Sequence, residues 1–266
     1  MEPTVESTAT AASEPPVVPP LPEVSGLLDG VPCQRDPAGG AGAGAPGPAP
    51  AARVPRPWRL LPTPTGTPFT FGYAVVLALT SLFTTYAPSS LVHTLHQASS
   101  TDVAHLVRMP GLVLPASALW VAGGVVSPYV LCFLLVLTAL ERRTGWARTA
   151  GVFLLGHVLA TLATEGTVGL AVLAGQLPDS SLHRLDYGIS FGVAAGVGAL
   201  AGLLTPWLRR PLLALFGWML TQSLIEYADP MTDWGHLISL AIGIATWPVL
   251  RRRQRERPTA RVPRQA

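Results

Sequence analysis

The feature that most constrains this chain is a run of long apolar stretches separated by short loops, starting at Phe69 and ending at Leu250. A helix that crosses the hydrocarbon core of a bilayer, roughly 30 Å, needs about 20 mostly apolar residues. Six stretches approach that length: Phe71–Leu91, Val126–Leu140, Thr149–Leu173, Gly188–Trp207, Leu212–Ala228 and Trp234–Leu250. The second is short and extends backwards through Ala122. The pattern predicts an all-α polytopic membrane protein, a bundle of six transmembrane helices. Charged residues make up only 12% of the chain, about half the share usual in soluble domains. That deficit suits lipid as the solvent.

The flanks differ in character. Residues 1–68 are rich in Pro, Ala, Gly, Ser and Glu and show neither helical nor strand periodicity. Such a segment cannot bury enough apolar surface to offset its ordering entropy, so a disordered tail is expected there. Its start lacks the basic and apolar regions of a signal peptide. The membrane domain is expected over 69–250 and a basic tail over 251–266. Val103–Trp120 is moderately apolar but contains Arg108, Pro110 and Pro115. It is expected to be a broken or interfacial segment rather than a span.

All 18 basic residues are arginine, and their positions give a direction. Segments that stay in the cytoplasm collect Arg and Lys. Placing the N-terminus inside assigns Arg53, Arg56, Arg59, Arg142, Arg143, Arg148, Arg209, Arg210 and the run from Arg251 to Arg257 to inner segments. The outer loops then hold only Arg108 and Arg184. Every inner loop is basic and no outer loop is, which predicts a multi-pass cell-membrane protein with both termini cytoplasmic. A net charge of +3 is too small to suggest nucleic acid. The Arg-rich end of the chain reads as an orientation signal with some attraction to anionic lipid.

Two residues in this frame could carry chemistry. Ser190 lies four residues past Asp186 at the outer start of the fourth span, and His236 lies three past Asp233 at the outer start of the sixth. At 1.5 Å per residue both are expected about 5 Å below the outer ends of their helices. Gly188, Gly192 and Gly196 repeat every fourth residue, with Ala194 and Gly198 following Ser190 on a neighbouring stripe, and Gly235, Ser239 and Gly243 repeat at the same spacing. Small residues at that spacing let helices approach closely in a membrane, and the two helices are expected to touch. A neutral imidazole can then take the serine proton and make the hydroxyl a nucleophile. The amide of Ser190, near a helix start, is one available oxyanion donor. Alone, a serine in a span commonly bonds back to its own helix, whereas an intramembrane histidine is a functional candidate in itself.

His157 and Glu165 lie two turns apart on the third span and should face the bundle interior. They are read as hydrogen bonds that lock packing, with a polar network around a site as the alternative. His93 and His96, one turn apart, suit a metal but lack a third ligand at recognisable spacing. No cofactor or metal is expected.

These residues resemble the rhomboid family of intramembrane serine proteases over roughly residues 70–250. That family has a six-helix core, a nucleophile in a G-x-S-G motif at the start of helix 4, and a histidine base in an H-x-x-G-x-x-x-G pattern in helix 6. Gly188-Ile189-Ser190 matches the first and His236 with Gly243 the second. Glu141-Arg142-Arg143-Thr144-Gly145 is similar to the E-R-x-x-G turn after helix 2, and the run from Gly156 to Thr161 is similar to that of actinobacterial rhomboid-like membrane proteins. The resemblance implies Ser190 as nucleophile, His236 as general base, and transmembrane proteins as substrates. Four departures stand against it. Phe191 follows the serine where a glycine is usual, and Ser239 replaces a motif glycine. The helix 2 H-x-x-x-N pair, which helps form the oxyanion hole, is replaced near Gly124 and Tyr129, and the W-R pair of the first outer loop is absent, with Ser117-Ala118-Leu119-Trp120 in the related region. The alternative is therefore a non-catalytic rhomboid-like protein that binds transmembrane clients.

Overall fold

The computed structural model of the chain describes residues 60–124, 127–227 and 229–255. Residues 1–59 of the expected N-terminal tail and 256–266 of the basic tail lie outside them. Among the described residues all regular structure is helical.

Helix α1, Pro68–Tyr86, opens with a proline at its first position, where a missing N–H costs nothing. Its free amides are taken by Glu141. One carboxylate oxygen accepts from the Phe69 amide at 2.9 Å and the other from the Thr70 amide and hydroxyl at 2.8 and 2.6 Å. A carboxylate at a helix N-terminus is favoured by both the unpaired N–H groups and the helix dipole. The glutamate of the Glu-Arg-Arg-Thr-Gly turn thus fastens the start of α1 to that turn. The first expected span runs to Leu91, but α1 stops at Tyr86. Pro88 has no N–H to continue the helix and disfavours helical backbone at Ala87, so Ser89–Ala98 forms a separate helix, α2.

The segment expected to be broken is so. Helices α3, Val103–Arg108, and α4, Pro110–Ser117, are divided at Met109. Asp102 caps α3, accepting from the His105 amide at 2.9 Å. The second expected span becomes α5, Pro128–Cys132, a π-helical turn at Phe133–Leu137, and α6, Thr138–Thr144. Gly145, at φ +89°, turns the chain into α7, Trp146–Leu173. A 3₁₀ turn at Asp179–His183 leads to α8, Ser190–Leu203, α9, Pro206–Glu226, α10, Pro230–Ala245, and α11, Trp247–Arg255.

Of these, α1 and α7 are long and apolar enough to cross a membrane. The remaining expected spans fall short as single helices. The π turn divides the second, α8 has 14 residues, and α10 has 16. Helix α9 has 21 residues but includes Arg209, Arg210 and Pro211.

Helix α8 is the hub, buried from Phe191 to Gly202. Its small residues let three neighbours approach its backbone. The expected close approach of α8 and α10 occurs, and the small-residue stripes of α8 divide among its neighbours. A Cβ on Gly192 would strike the Phe153 ring of α7, and one on Gly196 would lie 2.8 Å from Leu137 in the π turn. The α10 contact is made by the next stripe. Gly198 packs on the Leu240 carbonyl and Gly243, Ala195 packs on Gly243, and the Ser239 hydroxyl donates to the Phe191 carbonyl. A helix buried all round presents a small-residue stripe to each neighbour, and spacing alone does not assign stripe to partner.

Candidate functional site

Ser190 is the first residue of α8 and is half-buried. The approach to it is held by backbone bonds from distant elements. The Gly188 amide donates to the Ser117 carbonyl at 3.0 Å, and the Thr101 amide donates to the Asp186 carbonyl at 2.8 Å. The Asp186 amide donates to Ser100 Oγ at 3.0 Å. Gly188 has φ +131°, a left-handed value that a side chain would strain. A glycine two residues before the serine is therefore required by the turn itself. Helix α8 has no side-chain cap, so no side chain occupies the amides at its start, where a developing negative charge is favoured.

His236 lies six residues into α10, which begins at Pro230, not near Asp233. The two candidates are thus not at equal distance from their helix starts. Ser190 opens its helix, while His236 lies about 9 Å along its own. Asp229 produces the earlier start, accepting from the Thr232 amide at 3.3 Å as the cap of α10. The chain still brings the two together. Both line one cavity of about 400 Å³, with Tyr129, His157, Thr161, Asp186, Asp229 and Thr232 among its other walls.

The His236 ring is buried and held by aromatic contacts. Tyr129 of α5 stacks on it at 5.1 Å between centroids and 19° between planes, and Phe191 meets it edge-on at 5.2 Å and 78°. Neither ring nitrogen has a hydrogen-bond partner among the described residues, so the Ser190–His236 hydrogen bond is not made. The departure at Phe191 has a visible effect. Its ring fills the space between His236 and Gly235, whose Cβ, if present, would strike it. Tyr129, near the place of the missing helix 2 pair, is part of the cavity wall. Sequence reasoning placed it there but had no signal for the stack on a helix more than a hundred residues away.

His157 and Glu165 are both buried, and each bonds a different segment. His157 Nε2 lies 3.0 Å from the Leu114 carbonyl and 3.1 Å from Ser117 Oγ, tying α7 to α4. A carbonyl only accepts, so Nε2 carries a proton. Glu165 accepts from Arg184 at 2.6 Å. The same guanidinium donates to Asp229 at 2.9 and 3.2 Å and to the Thr232 hydroxyl at 3.2 Å. Arg184 therefore clasps α7 to the start of α10 at the cavity rim. Burial pushes the Asp186 carboxyl above its usual range, and Arg184 and the Thr101 hydroxyl offset part of that rise. His96, a candidate metal ligand, instead stacks on Tyr187 at 4.3 Å between centroids. No group of three or more His, Cys, Asp or Glu side chains converges among the described residues.

No curated protein sequence and no solved structure matches the chain significantly. A protein family does. Residues 65–256, which take in every described helix, match the family described as rhomboid-like protein. With an all-helical domain built around that match, the chain belongs to the rhomboid-like family of membrane proteins.

Proposed function

We propose that the chain is an intramembrane serine protease that cleaves transmembrane proteins, with Ser190 as nucleophile and His236 as general base. The observation that carries this reading is the shared cavity. A serine at an uncapped helix start and a histidine whose two ring nitrogens have no partner among the described residues line the same space. His236 takes the Ser190 hydroxyl proton as the oxygen attacks a peptide carbonyl. It returns that proton to the leaving amine when the C–N bond breaks, and water then hydrolyses the acyl-enzyme by the same exchange. Closure of the Ser–His distance on substrate binding is part of this reading, since catalytic hydrogen bonds often tighten only in the complex. The protein is placed in the cell membrane as a six-span bundle with both termini cytoplasmic, on the strength of the arginine distribution.

A second reading is favoured by the contact of Phe191 with His236 and by the missing helix 2 pair. The chain would then bind transmembrane clients in the same cavity without cutting them. A serine-reactive fluorophosphonate probe separates the two. Labelling of the wild type that disappears in Ser190→Ala supports the protease. Absence of labelling in folded, membrane-embedded protein supports the client binder.

A further inference from the structure

At the end of α8 away from Ser190, a second polar centre forms around Trp247. Its indole N–H donates to the Gly198 carbonyl at 2.7 Å, and a Cβ on Gly202 would press into its ring. The ring therefore packs closely on the last turn of α8. Two guanidinium groups lie over this ring. The Arg209 carbon, from α9, is 5.4 Å from the centroid, and the Arg251 carbon, from α11, is 4.9 Å from it. Each contact is a cation–π interaction, and the two fix a pair of like charges on one platform.

Their donors are mostly unspent. Arg251 Nε donates to the Gly202 carbonyl at 2.8 Å, and one Arg209 Nη donates to the Leu204 carbonyl at 3.3 Å. A guanidinium carries five N–H donors. Arg209 Nε is buried and has no partner among the described residues. Neither arginine forms an ion pair among those residues, where the salt bridges involve Asp102, Glu165 and Asp229. Carbonyls at a helix C-terminus supply only partial negative charge. They account for the pose of the two side chains but do not neutralise them. Arg210 and Arg252, next in sequence to each, are exposed.

We propose that Trp247, Arg209 and Arg251 form a binding site for a phosphate oxyanion, that of an anionic phospholipid headgroup. A phosphate presents several acceptor oxygens and full charge, and paired guanidinium forks match it. It would satisfy the orphaned Arg209 N–H and relieve the repulsion between the two cations. A tryptophan flanked by arginines suits the membrane–water interface, and the cytoplasmic leaflet supplies anionic headgroups. The inference is independent of any proteolytic activity.

The test uses the purified full chain in detergent, by native mass spectrometry and thermal unfolding. Phosphatidylglycerol, phosphatidylcholine and inorganic phosphate are added separately. Wild-type protein is expected to retain phosphatidylglycerol over phosphatidylcholine, and Arg209→Gln/Arg251→Gln to lose about tenfold in that preference, the value of one charge-assisted hydrogen bond. Arg210→Gln/Arg252→Gln removes the same charge off the platform and should keep the preference. Stabilisation by inorganic phosphate without lipid retention would assign the same site to a free anion. Equal loss in both double variants, or no response to either phosphate source, overturns the proposal. Each double variant is first checked for an unfolding transition like that of the wild type without added ligand. If Arg209→Gln/Arg251→Gln fails to fold, Arg209→Lys decides. It keeps the charge but lacks the buried Nε donor, and an unchanged preference there overturns the site.

Discussion

Tyr129 lies flat on His236, with ring centroids 5.1 Å apart and planes 19° apart, although one residue is on α5 and the other on α10. Phe191 closes the other contact edge-on. Two aromatic walls thus orient an imidazole whose ring nitrogens have no hydrogen-bond partner among the described residues. If His236 is the base, Tyr129→Phe keeps the wall and should retain cleavage of a reporter transmembrane substrate. Tyr129→Ala removes it, and such aromatic pairs contribute about 0.5–1.5 kcal/mol. The expected loss in kcat is therefore about two- to tenfold, measured on samples with matched folded fractions. Equal activity in both variants would remove Tyr129 from the positioning of His236.

Ser190→Ala and His236→Ala are each expected to lower kcat by at least about 10³-fold under the protease reading, since members of a catalytic unit act together. The double variant should be no worse than either single one. Additive losses, or cleavage surviving either change, would exclude a Ser190–His236 dyad. Client capture by Ser190→Ala should persist in both readings, so co-purification of a transmembrane segment is a control for folding rather than for chemistry.

Arg184 bridges Glu165, which is buried, and Asp229, which is exposed. Removing the guanidinium strands the Glu165 carboxylate in the interior, whereas neutralising Glu165 leaves a side chain that can still accept. Arg184→Gln should cost about 1–3 kcal/mol, and adding Glu165→Gln should recover much of it. Asp229→Asn, at the exposed arm, should cost under about 1 kcal/mol. Unfolding midpoints in one detergent distinguish these three. If the single and double Arg184 variants are equally unstable, the buried carboxylate is not what the clasp serves.

Asp186 gives a pH dependence with a defined sign. Its folded-state carboxyl is raised by burial above the ordinary value of 3.8. Well below that value the group is protonated in both states and contributes nothing. As pH rises through the interval between the ordinary and the raised value, the unfolded chain releases a proton that the folded chain keeps. Stability then falls with pH. Asp186→Asn lacks this slope and still accepts from Thr101. The stability of Asp186→Asn relative to wild type should therefore grow as pH rises above the ordinary carboxylate value. A difference that is flat or shrinks with pH would contradict the raised carboxyl.

Much of this arrangement was legible before any coordinates, for reasons that differ by residue. The broken segment after α2 follows from Pro110 and Pro115, because proline acts locally. Ser190 and His236 stand out because polar groups are rare in apolar runs, and both line one cavity. The distance of each from its helix start differs from the expectation. Helix starts depend on capping, and Asp229 begins α10 four residues earlier than hydropathy suggests. The close approach of α8 and α10 follows from their small residues, but which stripe meets which neighbour does not, since α8 offers a small-residue face to α7, α10 and the π turn alike. The Glu141 cap and the Arg184 clasp were out of reach, because each joins residues whose proximity is set by the whole fold. Pro88 could have shortened the first span, as the only proline within it.

The glycines of α8 and α10 should separate by what each meets. A Cβ on Gly243 would lie 2.8 Å from the Ala195 carbonyl carbon, and one on Gly198 would lie 3.0 Å from the Ile244 amide nitrogen. Both obstacles are backbone, so neither can rotate away, and the two helices would have to part. Gly192 meets the Phe153 ring, a side chain with some freedom to tilt, while Gly151 on α7 and Gly217 on α9 have nothing within 4 Å. Overpacking costs about 1–3 kcal/mol, and freeing a helix of an unneeded glycine returns about 0.5–1 kcal/mol. Gly243→Ala and Gly198→Ala should therefore be the most destabilised, Gly192→Ala intermediate, and Gly151→Ala and Gly217→Ala neutral or more stable than wild type. Denaturation midpoints of the five variants in a single micelle system give the order. Because α10 carries His236, the Gly243→Ala shift should also lower cleavage or client capture beyond the loss of folded protein. If Gly243→Ala matches Gly151→Ala in both measurements, the close packing of α8 on α10 is not what sets the geometry of the cavity.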